Sequence, residues 1–266
     1  MKACELATVE EADTLGNGVC HEVGVHAKHN QVKVDVVSKG GTETFPKVTK
    51  AYLITKRCTD VVLSFIAGIV SLIPMLILAL LIVIKDFGNP FYVHKRVGMN
   101  GKDLWVVKLR SMKLGSDDIE YTLTAEQLEL YHREYKLDDD PRLIGWKKTG
   151  DRKRCFGSLI RRASLDELPQ ILWNILIKGN MSVVGPRPIL REELESHYTP
   201  LEQELLLSVK PGLTGYWQAY ARNNATYETG ERQRMELYYV HNQNFWLDIK
   251  IMFATISTVL KKDGAK

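Results

Sequence analysis

Between Val61 and Ile84 the chain carries no charged side chain. A helix over that stretch exceeds the roughly 20 residues that cross the hydrocarbon core of a bilayer. Buried helices of soluble domains are usually shorter or keep a polar face, so the stretch is expected to sit in lipid. Basic residues flank it on both sides: Lys50, Lys56 and Arg57 before it, Lys85, Lys95, Arg96 and Lys102 after it. Cationic flanks favour the cytoplasmic side, and here they pull both ends that way. Pro74, near the middle, removes a helix hydrogen bond and crowds the preceding turn. Ser71 can offer its hydroxyl to the backbone so loosened. A kink there would let the helix turn back to the face it entered; a plain crossing fits the residues equally well. In either arrangement Lys56, Arg57, Lys85 and Asp86 are placed to meet lipid headgroups.

The rest of the 266 residues has room for one good-sized domain with appendages, and 26% charged and 45% hydrophobic residues suit a globular fold. A net charge of +4 is too small to argue for nucleic acid. It suits anionic lipid or phosphorylated substrates. Cys4, Cys20, Cys58 and Cys155 form no C-x-x-C pair, so neither a zinc site nor a disulfide framework is expected and a reducing compartment fits best. The N-terminus is polar and acidic through Glu11, unlike a signal peptide. Residues 1–50 read as a separate extension, either unstructured or a small hairpin built on Val23, Val25, Val32, Val34 and Val36.

Residues 51–87 are expected to form the membrane region and 88–266 a further domain, in an α+β, mostly helical fold. Gly88-Asn89-Pro90 marks a turn. Phe91–His94 and Leu104–Val107 read as strands around the turn Gly98–Gly101. Helices are expected over 124–137, ended by Asp138–Pro141, over Leu168–Ile177, stopped at Lys178-Gly179-Asn180, and over Ile189–Tyr198 and Leu201–Val209. The run Lys147–Arg154 reads as a solvated loop. From Glu236 to Leu260 apolar and aromatic residues gather on one side. That side fits the lipid surface and the protein core equally well.

The chemistry concentrates in Arg161–Gln170. Proline belongs in the first turn of a helix. Ser164 as a cap over Glu167 would place Pro169 too deep, so a start at Asp166 or a distorted first turn is expected. There, free N–H groups and the helix dipole would keep Asp166 ionised. Asp166 and Glu167 point about 100° apart on a regular helix, so they cannot flank a sugar ring from opposite faces. They can share one Mg²⁺ or divide nucleophile and helper roles; a plain N-cap followed by a solvated acid is the bland alternative. Further cationic features converge in type. Arg161 precedes Asp166, Arg187 stands between two prolines, and Lys108, Arg110 and Lys113 alternate with other residues. Lys210 opens the glycine loop Lys210–Gly215, which includes Thr214. Together they point to a diphosphate site.

These residues resemble the bacterial sugar transferase family, the monotopic polyprenyl-phosphate phosphoglycosyl transferases. The resemblance runs from about Lys56 to Leu260 through ordered motifs: Lys56-Arg57 with Asp60; Arg96-Val97-Gly98 and Asn100-Gly101-Lys102; Lys108–Met112; Asp140-Pro141-Arg142; Arg161 through Gln170; Asn180–Pro188; and Lys210–Gly215. It implies a re-entrant membrane helix with both ends on the cytoplasmic face of a bacterial inner membrane, and interfacial amphipathic helices. Asp166 would attack the sugar-linked phosphate of a UDP-sugar, release UMP, and pass the phosphosugar to undecaprenyl phosphate, opening exopolysaccharide, capsule or O-antigen assembly. UDP-glucose or UDP-galactose is the expected donor, with N-acetylated UDP-sugars still open. Glu167 would assist with Mg²⁺ or proton handling. Arg161 and Arg187 would hold phosphates, Lys108 and Arg110 would join them, and Lys210 and Thr214 would contact the nucleotide. A homodimer is expected by analogy alone. Many relatives place Ser directly before the helix proline; here Ile73 stands there and Ser71 lies three back. The chain resembles the small form, without further membrane helices.

Two rival readings compete. A non-catalytic membrane scaffold of a polysaccharide assembly complex would not need Asp166, Glu167, Arg161 and Arg187 together. A nucleic-acid binder would need a recognised motif or an aromatic-basic platform, and none is present.

Overall fold

The computed structural model describes the backbone of residues 23–28, 31–38 and 41–42, and the chain over 48–135, 137, 139–147, 155–221 and 227–260. It divides into two units, Met1–Pro46 and Lys47–Lys266. In the first, β1 (Val23–Lys28), β2 (Gln31–Ser38) and β3 (Gly41–Thr42) pair antiparallel in that order. Val25 stands opposite Val34, and Val23 opposite Val36. The rest of the extension, Cys4 and Cys20, and the charge run beyond Lys147 lie outside the described residues. Cys58 and Cys155 are both unpaired.

The second unit is mostly helical. Its first element, α1 (Lys50–Lys85), is 36 residues long, or about 54 Å at 1.5 Å per residue. Thr49 caps its start, and it continues through Pro74 without interruption. The Ser71 hydroxyl donates to the Gly68 carbonyl at 3.2 Å, not to the Val70 carbonyl that Pro74 deprives of its donor. One stripe of α1 is buried: Asp60, Ser64, Gly68, Ser71, Met75, Ala79 and Ile82 recur every three or four residues. The opposite side exposes Val62, Phe65, Ile69, Val70, Ile73 and Leu76, each more than half accessible. Water tolerates no continuous apolar face of that length on a monomer. α1 is long and apolar enough to cross a membrane.

Two strands follow, β4 (Phe91–Val97) and β5 (Asp103–Leu109), in an antiparallel hairpin with Tyr92 opposite Lys108 and Arg96 opposite Leu104. The hairpin is longer than the expected apolar cores, because its polar residues are also paired. Its turn uses Asn100 and Gly101 at φ 59° and 72°, the left-handed region that Asn and Gly tolerate best. Next come α2 (Ile119–Thr122) and α3 (Ala125–Glu134). Tyr135, at φ 51°, ends α3 before Asp138–Pro141 is reached.

Further on are α4 (Phe156–Arg162), a 3₁₀ turn at Leu165–Glu167, α5 (Leu168–Gln170) and a π-helical stretch at Ile171–Ile177. The strands β6 (Ser182–Val184) and β7 (Gly212–Thr214) run parallel. Between them lie α6 (Arg191–His197) and α7 (Pro200–Leu207). The chain closes with α8 (Tyr216–Tyr220), α9 (Glu231–Asn242) and α10 (Phe245–Leu260). The aromatic C-terminal stretch is thus two helices, and α10 has one side in the core and one side open. Ile251 and Asp248 are buried, while Trp246, Phe253 and Ile256 are exposed.

Met75, Ala79 and Ile82 of α1 share one core cluster with Leu109, Ile144 and Ile160, against which Leu165, Leu168 and Leu172 pack. Gly68 lets the π-helical stretch approach, since a Cβ there would meet the end of Leu172. Polar ties complete the joint. Asp60 accepts from the Ser182 hydroxyl at 3.0 Å and from Val183 N–H at 2.9 Å. α1 is therefore one wall of the folded unit, not a detached tether.

Candidate active site

The segment after α4 turns sharply. Ser164 sits at φ 54° and gives no side-chain cap. Leu165 and Leu168 are drawn into the core cluster beneath α1, and Pro169 takes the first turn of α5. Asp166 and Glu167 lie between these two leucine anchors. The distorted first turn expected from Pro169 is thus what the backbone adopts.

Both carboxylates reach one cation. Lys108 Nζ, from β5, lies 3.1 Å from Glu167 Oε1 and 3.7 Å from Asp166 Oδ2. Asp166 is only 7% exposed. Burial raises its carboxyl above the usual carboxylate range; Lys108 and Arg161 pull it down, while the charge on Glu167 pushes it up. Burial thus works against the free N–H groups of the short 3₁₀ turn, on which the expectation of an ionised Asp166 rests.

Arg187 follows β6. Its Nη1 donates to Glu193 Oε1 at 2.9 Å. Burial would lower its affinity for the proton, but Glu193, Tyr227, Glu236 and Glu167 together raise it. Arg187 is thus within electrostatic reach of Glu167. His94 and Arg96 share the face of the hairpin that carries Lys108, by strand alternation. Burial first, then Arg96, Lys108 and Arg187, lower His94 to about 4, so its imidazole is neutral at pH 7. The structure therefore gathers Asp166, Glu167, Lys108, Arg161 and Arg187, with Arg161 exposed on the last turn of α4.

Other expected site residues are engaged elsewhere. Arg110 pairs with Asp86 and donates from Nε to the Asn89 carbonyl at 2.8 Å, clamping the end of α1. Lys56 is half-buried, in an ion pair with Asp248 at 2.9 Å and beside the Tyr239 hydroxyl at 3.0 Å. Arg57 donates to the Ile175 carbonyl at 2.9 Å. Both, expected to meet headgroups, have intramolecular partners on α10 and the π-helical stretch. Thr214 Oγ1 meets Thr255 Oγ1 at 2.7 Å. Lys210 is partly buried, and burial and then Arg57 lower its pKa. The glycine loop is also closed. Gly212 N–H donates to the Pro186 carbonyl at 2.8 Å, and Gly185 N–H to the Thr214 carbonyl at 2.9 Å. The glycines permit the close approach of β6 and β7, since a Cβ on either would strike the other's backbone.

Sequence reasoning gave no site role to Glu193, His94 or Arg96. Glu193 stands in the first turn of α6 and is 0% exposed. Among the described residues there is no group of three or more side chains suited to a metal. Asp166 and Glu167 nonetheless fit Mg²⁺, which commonly takes one or two carboxylates and completes its shell with substrate phosphates. The Lys108 ammonium already sits where a cation would.

Comparison with known proteins gives a consistent picture. A family model described as bacterial sugar transferase matches residues 51–262. The UDP-galactose-lipid carrier transferase of Erwinia amylovora is 39% identical over 213 residues, covering 79% of this chain and 41% of that protein. The undecaprenyl-phosphate galactose phosphotransferase of Salmonella typhimurium gives the same 39% identity, 79% and 41%. The exopolysaccharide production protein ExoY of Sinorhizobium fredii is 37% identical over 216 residues, covering 80% of this chain and 88% of that protein. The chain spans about two fifths of the length of the first two.

Proposed function

Because the chain belongs to the bacterial sugar transferase family, we propose that it transfers a sugar 1-phosphate from a UDP-sugar to undecaprenyl phosphate and releases UMP. One observation carries this reading: the buried Asp166, beside Glu167, shares the Lys108 ammonium with it, and Arg187 is within reach. The names of the relatives support the substrate classes and a place in exopolysaccharide production. Two of those names specify galactose, which favours a hexose donor, UDP-galactose or the UDP-glucose also expected from the resemblance.

In the first step an Asp166 oxygen attacks the phosphorus that bears the sugar. The bond from that phosphorus to the bridging oxygen breaks, and UMP leaves with the bond's electron pair. A phosphosugar-aspartyl intermediate remains. A phosphate oxygen of undecaprenyl phosphate then attacks the same phosphorus, and the bond to Asp166 breaks to restore the carboxylate. Splitting a transfer between two large anions in this way replaces one hard step by two easier ones. Arg187 and Arg161 draw in the diphosphate, and Lys108 tempers repulsion between the carboxylates and the incoming anion. When held by Asp166 and Glu167, Mg²⁺ supplies further neutralisation of the diphosphate charge.

The same reading makes α1 a re-entrant helix in the cytoplasmic leaflet of a bacterial inner membrane, with the catalytic unit in the cytoplasm and α10 at the interface. Two observations support it. Basic residues flank both ends of α1, and its buried stripe runs from Asp60 to Ile82, so a perpendicular crossing would drag the packed unit into lipid.

The test is transfer by the purified chain in lipid with undecaprenyl phosphate, Mg²⁺ and a panel of UDP-sugars, with UMP and UDP measured separately. UMP from one donor, abolished by Asp166→Asn, is expected. UDP instead would mean plain glycosyl transfer, and no release from any donor would favour a scaffold.

A further inference from the structure

Glu193 is the most completely buried carboxylate beside the site, 0% exposed. Its Oε1 accepts from Arg187 Nη1 at 2.9 Å, from Arg232 Nη2 at 2.9 Å and from the Tyr227 hydroxyl at 2.5 Å. Its Oε2 accepts from Leu190 N–H at 3.3 Å and faces Arg96 Nη1 at 3.7 Å. The donors on the far side are themselves fixed. The Arg232 guanidinium lies over the rings of Trp217 and Tyr227, at 4.2 and 4.1 Å. His197 stacks flat on Tyr227 at 4.1 Å. Burial alone would raise the Glu193 carboxyl, but Arg187, Arg232, the Tyr227 hydroxyl and Arg96 hold it at about 2, so it stays charged at any working pH.

Among the described residues, three guanidiniums meet the Glu193 carboxylate. Glu236 adds a second carboxylate, whose two oxygens receive the Arg187 backbone N–H at 3.3 Å, and Glu167 acts on Arg187 from the site. Arg187 is the arginine of the three with the most accessible side chain, 28% against 13% for Arg96 and 8% for Arg232. A guanidinium has five donors in a rigid fork, so fixing one nitrogen fixes the direction of the others.

We propose that Glu193 is the positioning residue for Arg187: braced by Arg232 and Tyr227, it aims the Arg187 guanidinium at a phosphate group in the site. This rests on the reading of Arg187 as a phosphate holder, and it assigns Glu193 a part in substrate recognition that its place in α6 does not suggest. Glu193 touches no substrate; it acts through Arg187.

The test is a double-mutant cycle on the full chain in lipid, reading affinity for inorganic diphosphate by calorimetry and UMP release by steady-state kinetics. Glu193→Gln and Arg187→Gln are each expected to weaken diphosphate binding at least tenfold. The double variant is expected to bind within twofold of Arg187→Gln, and the loss under turnover is expected in KM for the UDP-sugar more than in kcat. Losses that multiply in the double variant, unchanged diphosphate affinity in Glu193→Gln, or a loss confined to kcat would each overturn the proposal. Should Glu193→Gln not fold, Tyr227→Phe takes its place in the same cycle, with a smaller non-multiplying loss expected and a multiplying one overturning it. A wild-type chain that binds diphosphate but releases no UMP would count against the transferase reading, while the binding cycle still decides the role of Glu193.

Discussion

Lys108 and Glu167 lie 3.1 Å apart although 59 residues separate them in sequence. The hairpin carries the lysine and the turn before α5 carries the acid. Their meeting places a cation against both carboxylates of the site, and it sets the acidity at which the site can work.

Replacing Lys108 by Met removes the main influence that lowers the Asp166 carboxyl, leaving burial and Glu167 to raise it further. The acid limb of the pH profile for UMP release is expected to move to higher pH by about one unit, the lower end of what one neighbouring charge contributes. A profile that falls in height without moving would remove Lys108 from this role.

Asp166→Asn is expected to abolish transfer and raise stability. The folded-state pKa of Asp166 lies above its unfolded value, so at neutral pH folding must either bury a charge or hold a proton. The gain is therefore absent below the unfolded pKa, near 4, and appears as pH rises through the folded value. A Tm increase of roughly 2–4 °C at pH 7.5, the shift given by about 1 kcal/mol at this size, should vanish at pH 4 in thermal unfolding. A variant equally stable or weaker at both pH values would mean that Asp166 carries no such cost.

Gly212→Ala is expected to act on folding. The added Cβ would strike the Gly185 N–H and the Thr214 carbonyl, both backbone groups that cannot step aside. Overpacking of this kind costs about 3 kcal/mol, on the order of 10 °C in Tm. Weaker nucleotide binding with an unchanged Tm would instead restore the glycine loop to the site.

Lys56→Met and Val70→Glu are expected to separate the two faces of α1. Lys56 is paired with Asp248 inside the fold, so its loss should lower stability by about 3 kcal/mol and leave vesicle binding intact. Val70 is 71% exposed, so a glutamate there should leave Tm unchanged and weaken association with anionic vesicles in a flotation assay. The reverse pattern would return Lys56 to the membrane surface.

The features legible in the sequence are those set by local constraint. An uncharged run can only be an apolar helix, and Pro169 forces an irregular start that Ser164 and the 3₁₀ turn supply. The pairing of cations could not be read. Lys56 reads as a headgroup anchor and Arg110 as a phosphate ligand, but Asp248 pairs with one and Asp86 with the other. Gly212 reads as part of a phosphate loop because close backbone approach and anion binding both call for the same residue. Glu193 could not be read from its neighbours alone, since its charged and hydroxyl partners come from three stretches, at Arg96, Arg187 and Tyr227–Arg232.

The buried stripe of α1 also bears on how the molecule can be cut. A shortened chain beginning after Lys85, the obvious route to a freely soluble fragment, would leave Leu109, Ile144 and Ile160 facing solvent where Met75, Ala79 and Ile82 now cover them. It would also strip Ser182 and Val183 of the Asp60 carboxylate. Solubility and an intact catalytic unit are therefore opposing demands: the residues that make this protein hard to handle in water are continuous with those that keep the turn at Asp166 in shape.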